Sequence, residues 1–151
     1  MNFANASQRL AYDRISAWLP ELFGDRVIPR RDVPAFVVAV GSALVQTGVH
    51  PWGEDDATIT SRAYVVRGAR PDPELLKFLL RRNADMRFGA FGIDDEGNVI
   101  FEHTIVGSTC DRVELAASVV AVARVADDYD DRIVARWGGR RALEEPIPEP
   151  R

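Results

Sequence analysis

The chain has 151 residues, 46% of them hydrophobic and 28% charged, which is typical of one soluble globular domain and excludes a disordered chain. Its 19 basic and 23 acidic residues leave a net charge of −4, and such a surface repels the phosphates of nucleic acids. Because no apolar run reaches the roughly 18 residues of a membrane-spanning helix, we expect a bacterial-type cytoplasmic protein with neither a nucleic-acid nor a membrane partner.

The first predicted helix begins at Ser7, a residue type that caps helix N-termini, and runs to about Leu19. Pro20 and Gly24 mark its end. Its apolar residues recur at i, i+4, i+7 and i+11, the spacing of an amphipathic helix; they are Ala11, Ile15, Trp18 and Leu22.

Residues 26–67 predict strands. The run after Pro34 is rich in β-branched residues and is interrupted at Gly41, which predicts two strands over about 35–40 and 42–49. The segment from His50 to Gly53, followed by three acidic residues, predicts a loop. Apolar and polar residues then alternate over 58–65, which predicts a third strand with one wetter face.

A second helix is predicted to begin at Asp72, its cap, with Pro73 in the first turn, and to end near Asn83. One face of it is lined by Leu75, Leu76, Leu79 and Leu80. Strands over 88–93 and 99–105 then flank an acidic, glycine-containing turn at 94–98, a pattern that predicts a β-hairpin.

The last and longest helix is predicted over about 112–136, with Asp111 as its cap and two glycines at its end. Its apolar residues cover more of the helix surface than one narrow stripe, so this helix should form the core against the sheet. The order α-βββ-α-ββ-α predicts an α+β fold, an antiparallel sheet with helices packed on it. Residues 1–140 are predicted to form the domain, and the Pro-rich, charged residues 141–151 a flexible tail.

Candidate reactive side chains are few. His50 and His103 lie in different predicted elements, which argues against a shared metal or acid–base site. Cys110 is the only cysteine, so it forms no intramolecular disulfide, and the acidic residue after it opposes a thiolate. The carboxylates at 127–131 oppose the dipole of the last helix and are expected to form a solvated face paired with arginines. We predict no catalytic residue, no metal and no cofactor.

The segment PELLKFLLRRNADMRFGAFGIDDEGNVIFEHTIVG, followed by a helix containing VVAVARVADDYDDRIVARWGG, resembles the YbjN family. That family is related in fold to the type III secretion chaperone-like (CesT-like) proteins. The resemblance covers about residues 35–139 and rests on the Leu-rich helix, the Gly/Phe strand from Phe88 to Phe91, the acidic turn, Tyr129 and the closing Trp137. It implies a domain, often a homodimer, that binds a segment of another protein without ATP.

The predicted function is therefore a non-enzymatic protein- or peptide-binding module, chaperone-like or regulatory, with an unidentified client. The first helix is predicted to bind the partner through Ile15, Trp18, Leu19, Leu22 and Phe23. The predicted homodimer interface consists of Leu75, Leu76, Leu79, Leu80, Phe88 and Phe91. Two alternatives remain: a structural subunit of a larger complex, and a small-molecule sensor or enzyme with a pocket near His50, Trp52 and Asp55.

Overall fold

The computed structural model describes residues 1–142. Within them, seven antiparallel strands form one sheet in the order β1-β2-β3-β4-β6-β5, and β7 pairs with the end of β4. This arrangement confirms the predicted α+β fold. The helices are α1 (Ala6–Phe23), α2 (Pro73–Asp85) and α3 (Arg112–Trp137), and the strands are β1 (Val27–Pro29), β2 (Ala35–Val40), β3 (Ala43–Trp52), β4 (Asp56–Arg67), β5 (Ala90–Ile93), β6 (Val99–Val106) and β7 (Arg140–Arg141).

The three helices pack on one face of the sheet, where strands β2 to β6 contribute buried apolar side chains to the core. On β4 the residues of the predicted alternation that face the core are all buried: Ile59, Ser61, Ala63 and Val65. The opposite face carries polar pairs between β4 and β6. Arg62 forms an ion pair with Glu102 at 2.5 Å, and the hydroxyls of Thr60 and Thr104 lie 2.9 Å apart. The predicted wetter face is confirmed.

α3 is the central helix of the core. It crosses β3, β4 and β6, and its buried side chains recur along its whole length, as the apolar sequence predicts; the apolar ones are Leu115, Val119, Val122, Ala123, Ala126, Ile133 and Trp137. The side chain of Asp111 caps it by accepting a hydrogen bond from the Glu114 amide at 2.8 Å. Gly138 ends the helix with a φ of 75°.

α1 begins and ends elsewhere than predicted. Asn5 is its cap, accepting a hydrogen bond from the Gln8 amide at 2.7 Å, whereas the Ser7 hydroxyl donates to the Asp55 carbonyl at 2.7 Å. The helix also continues through Pro20 to Phe23. The helix continues through Pro20 because buried side chains hold α1 against the sheet, and that packing outweighs one missing backbone hydrogen bond at proline.

The β3–β4 hairpin is longer than predicted. His50 and Trp52 were placed in a loop but belong to β3, and pairing continues to Trp52 opposite Asp56. Only Gly53 to Asp55 remains as the turn. Backbone pairing with β4 keeps residues 50–52 extended, although their own sequence does not predict a strand.

The chain leaves α3 by returning to the sheet. Arg140 and Arg141 pair with Arg67 and Val66 of β4, so Arg141, at which the predicted tail begins, lies in a strand. The rest of the predicted tail, residues 143–151, lies outside the described residues.

Candidate functional site

The outer side of α1 contains only part of the predicted partner-binding set. Ile15 and Leu19 are fully buried in the core, so they hold the helix to the sheet and offer no surface to a partner. This corrects their predicted role. Trp18 and Phe23 are partly buried at the edge of the core, and Leu22 is 37% exposed. We call Trp18, Leu22 and Phe23 the Trp18 surface.

Two arginines flank the ring of Trp18. The guanidinium carbons of Arg14 and Arg112 each lie 5.9 Å from the ring centroid. Arg14 also donates a hydrogen bond to the Gly107 carbonyl at 3.0 Å, and Arg112 forms an ion pair with Glu21 at 2.8 Å. The Trp18 surface is therefore an apolar patch at the junction of α1 with the start of α3, and it is bordered by Arg14 and by the Arg112–Glu21 ion pair.

The residues of the predicted dimer interface also fall into a buried and an exposed group. Leu75, Leu79 and Phe91 are buried in the core, which corrects their predicted place in an interface. The remaining three residues are exposed: Leu76 at 41%, Leu80 at 68% and Phe88 at 44%. We call these the α2 surface. Spacing along a helix identified an apolar set but not which of its members face the core.

The outer edge of β5 is closed by a side chain that sequence reasoning missed. The amide of Asn83, in the last turn of α2, donates to the Phe91 carbonyl at 3.1 Å and accepts from the Phe91 N–H at 2.7 Å. These two bonds replace those of a neighbouring strand. At the other edge, β1 has three residues and ends in Pro29, which has no N–H to donate. The edges at β1 and at β5 therefore hinder the addition of a peptide strand, whereas residues 103–106 of β6 extend past the end of β5.

The two histidines do not come together with Cys110 in a reactive group. His103 lies 2.8 Å from the Ser118 hydroxyl, through Nδ1, and Ser118 is fully buried, so the pair joins β6 to α3. Burial lowers the pKa of His103, although Glu114 opposes the shift. Cys110 is buried, and burial raises the pKa of its thiol to about 11, which keeps it protonated at neutral pH.

The alternative site at the β3–β4 hairpin is a set of exposed side chains. His50, Trp52 and Asp55 all lie on the surface at the end of this hairpin. Among residues 1–142, no three His, Cys, Asp or Glu side chains are placed to hold a metal ion. No helix in the same range has the length and apolar character to cross a membrane.

Comparison with known families identifies the relatives of this fold. A family described as T3SS (YopN, CesT) and YbjN peptide-binding chaperone 1, or TY-Chap1, matches residues 11–145. The chain belongs to this family. The sequence-based resemblance to YbjN and to the secretion chaperones is thereby confirmed. No curated protein matches the chain.

A solved structure shows the same fold. The type III secretion chaperone SycH of Yersinia pestis, in complex with a stable fragment of YscM2, aligns with a TM-score of 0.53 at 16% identity. The alignment covers 78% of this chain and 98% of that one. A TY-Chap1 member and this secretion chaperone therefore share the three-helix, antiparallel-sheet architecture despite little sequence in common.

One carboxylate of this TY-Chap1 protein departs from the predicted solvated face. Asp130 on α3 is buried, and that burial raises the pKa of its side chain, although hydrogen bonding from the Asp131 amide and the charge of Arg141 oppose the shift. A raised pKa means that the folded state holds the proton more tightly, so stability falls as the pH rises from the ordinary value of 3.8 through the raised one.

Asp130→Asn should therefore raise the melting temperature at pH 7. The gain should shrink as the pH falls through the same interval, because the wild-type side chain then becomes neutral as well. Thermal melts across this pH range test the prediction, and Asp128→Asn, at an exposed neighbour, is the matched control. A lower melting temperature for Asp130→Asn at pH 7 would show that the charged form is stabilised instead.

Proposed function

We propose that this protein is a chaperone-like or regulatory module that holds a segment of a partner protein without ATP, and that it is not an enzyme. The observation that carries the proposal is the Trp18 surface, an aromatic and aliphatic patch left outside the core on α1. Support also comes from the family, whose description is that of a peptide-binding chaperone, and from SycH, which was solved with a fragment of another protein.

The mode of binding follows from the sheet edges. Since Asn83 occupies the outer edge of β5 and Pro29 ends β1, a client gains little by adding a strand. A client segment with apolar side chains would instead dock on Trp18 and Leu22, because removing these side chains from water stabilises the complex. We further propose a cytoplasmic protein with neither nucleic acid nor membrane as partner; its net charge of −4 disfavours contact with the phosphates of either.

Site-specific photo-crosslinking in the source cells tests this function. A photoreactive amino acid at Leu22 should capture one client segment, whereas the same group at exposed Arg9, elsewhere on α1, should not. The identified segment, as a synthetic peptide, should then bind the purified protein with an affinity that ATP does not change. A segment captured equally from both positions, or one that binds only with ATP, would contradict the proposal.

We also propose that the protein is a homodimer that pairs through the α2 surface. Leu80→Glu would place a charge at the most exposed of its three residues, and burying an unpaired charge at an interface is strongly unfavourable. Light scattering should therefore read about twice the chain mass of 16.8 kDa for the wild type and the single chain mass for the variant. Val113→Glu, at an exposed valine on α3, should remain dimeric. A monomeric wild type would refute the dimer.

A further inference from the structure

A small groove between α2 and the end of α3 is lined by four positively charged side chains, one carboxylate and one aromatic ring. Its volume is about 150 Å³, small beside the roughly 300–1,000 Å³ of pockets for cofactors or drug-sized ligands. The groove therefore has room for a side chain or a small anion and not for a nucleotide. Its lining residues are Glu74, Lys77, Phe78, Arg81, Arg82 and Arg136.

The carboxylates near the groove leave much of this charge uncompensated. Lys77 lies 3.6 Å from Glu74, and Arg82 lies 3.7 Å from Asp85, both as exposed and loosely spaced pairs. Within residues 1–142, Arg81 and Arg136 form no ion pair. Since like charges at close range repel one another, a negatively charged occupant would stabilise the groove.

Guanidinium groups are also arranged around one aromatic ring. Those of Arg82, on α2, and Arg132, on α3, each lie with the guanidinium carbon 5.8 Å from the centroid of Phe78. The ring also packs against Tyr129 and Trp137 at 6.2 and 5.2 Å, which fixes its position. The Nε atom of Arg82 is buried and has no hydrogen-bond partner within the described part of the chain. Arg82, which lines the groove, is therefore positioned beside Phe78 before any occupant binds.

We propose that this groove binds an acidic segment of a partner protein, with a glutamate or aspartate side chain inserted between Arg81 and Arg136. The inference rests on the proposed peptide-holding function but assigns it a second surface, one that recognises charge. Carboxylate is the matching chemistry because planar guanidinium groups bind it through paired hydrogen bonds. Nucleic acid is disfavoured as an occupant because the positive charge is confined to this small groove, while the chain as a whole has a net charge of −4.

Fluorescence anisotropy with two short labelled peptides tests the groove. One peptide alternates glutamate and serine, and the other has glutamine in place of glutamate. The wild type should bind only the glutamate peptide, and added salt should weaken this binding. Arg81→Gln/Arg136→Gln should lower the affinity about tenfold, because two charge-assisted contacts are lost. Arg9→Gln/Arg31→Gln removes the same charge at exposed sites away from the groove and should leave the affinity unchanged.

Several results would overturn the inference. The first is that the glutamine peptide binds as tightly as the glutamate peptide. The second is that the Arg9→Gln/Arg31→Gln control loses as much affinity as Arg81→Gln/Arg136→Gln. The third is that inorganic phosphate or an oligonucleotide binds and the glutamate peptide does not. Trp18→Ala should not affect the glutamate peptide. If that peptide fails to bind while the crosslinked client still binds in a Trp18-dependent way, the groove inference is wrong and the proposed function stands.

Discussion

Trp18→Ala is expected to weaken client binding about thirtyfold, which corresponds to about 2 kcal/mol, the usual cost of truncating a large aromatic residue at the centre of an interface. Trp18 is the largest side chain of the Trp18 surface, and its ring lies between two guanidinium groups. Truncation would remove apolar area from the contact, together with the ring that Arg14 and Arg112 flank. Titration of the client segment into the purified variant gives the affinity.

Two controls separate binding from folding. Arg9→Ala, at an exposed and charged position of α1, should change the affinity little because charges at the rim of an interface contribute little. Since Trp18 is partly buried against the core, the melting temperature of the Trp18→Ala variant must be measured as well as its affinity for the client segment. Leu22→Ser changes a more exposed member of the same surface and should weaken binding without early melting. If the Trp18→Ala variant has a lower melting temperature but binds the client segment with normal affinity, α1 is not part of the binding site.

Gly89→Ala should lower the stability of the fold by about 2–4 kcal/mol and its melting temperature by about 10 °C. Gly89 has a φ of +70°, which costs energy for any residue with a Cβ, and that Cβ would lie 2.4 Å from the Glu102 carbonyl oxygen and 2.9 Å from the Phe101 ring. Both neighbours belong to β6, one being backbone and the other a fully buried side chain, so neither can move freely. Thermal and denaturant unfolding measure the loss.

Gly97→Ala is the matched control for this prediction. Gly97 also has a positive φ, +84°, but an added Cβ would meet no atom within 4 Å. It should therefore show only the backbone cost, about 1 kcal/mol. Because Gly89 directly follows Phe88, Gly89→Ala should also disturb the α2 surface and so weaken the proposed dimer. Equal destabilisation of the two variants would show that the close approach to β6 contributes nothing.

Two features with local signals, the start of α2 and the turn between β5 and β6, were predicted correctly. The Asp72 side chain accepts from the Leu75 amide at 2.9 Å, as expected of the cap that precedes Pro73. Asp94 likewise holds the predicted hairpin turn by accepting from the amides of Glu96 and Asn98. In each case the donor and acceptor are within four residues of each other, so sequence spacing alone contains the geometry.

The candidate site was only half predictable for the opposite reason. A stripe of apolar residues indicates that a helix packs against something, but it does not specify its rotation to within one residue. On α1 the buried line follows Ala11, Ile15 and Leu19, and Trp18 and Leu22 lie beside it. Which of these side chains is left for a client depends on the strands beneath the helix, and those strands lie far away in sequence.

The sequence by itself determined the class of fold, the family, and the order of the three helices and of strands β2 to β6, because these follow from periodicity, turn chemistry and the succession of motifs along the chain. It did not predict the short strands β1 and β7. Only the tertiary structure decided which apolar residues remain exposed, that Asn83 closes the edge of β5, and that arginines of α2 and α3 meet around Phe78. The physical reason is that exposure, edge pairing and charge convergence are relations between elements distant in sequence. These features are set only when elements that are distant in sequence pack against one another.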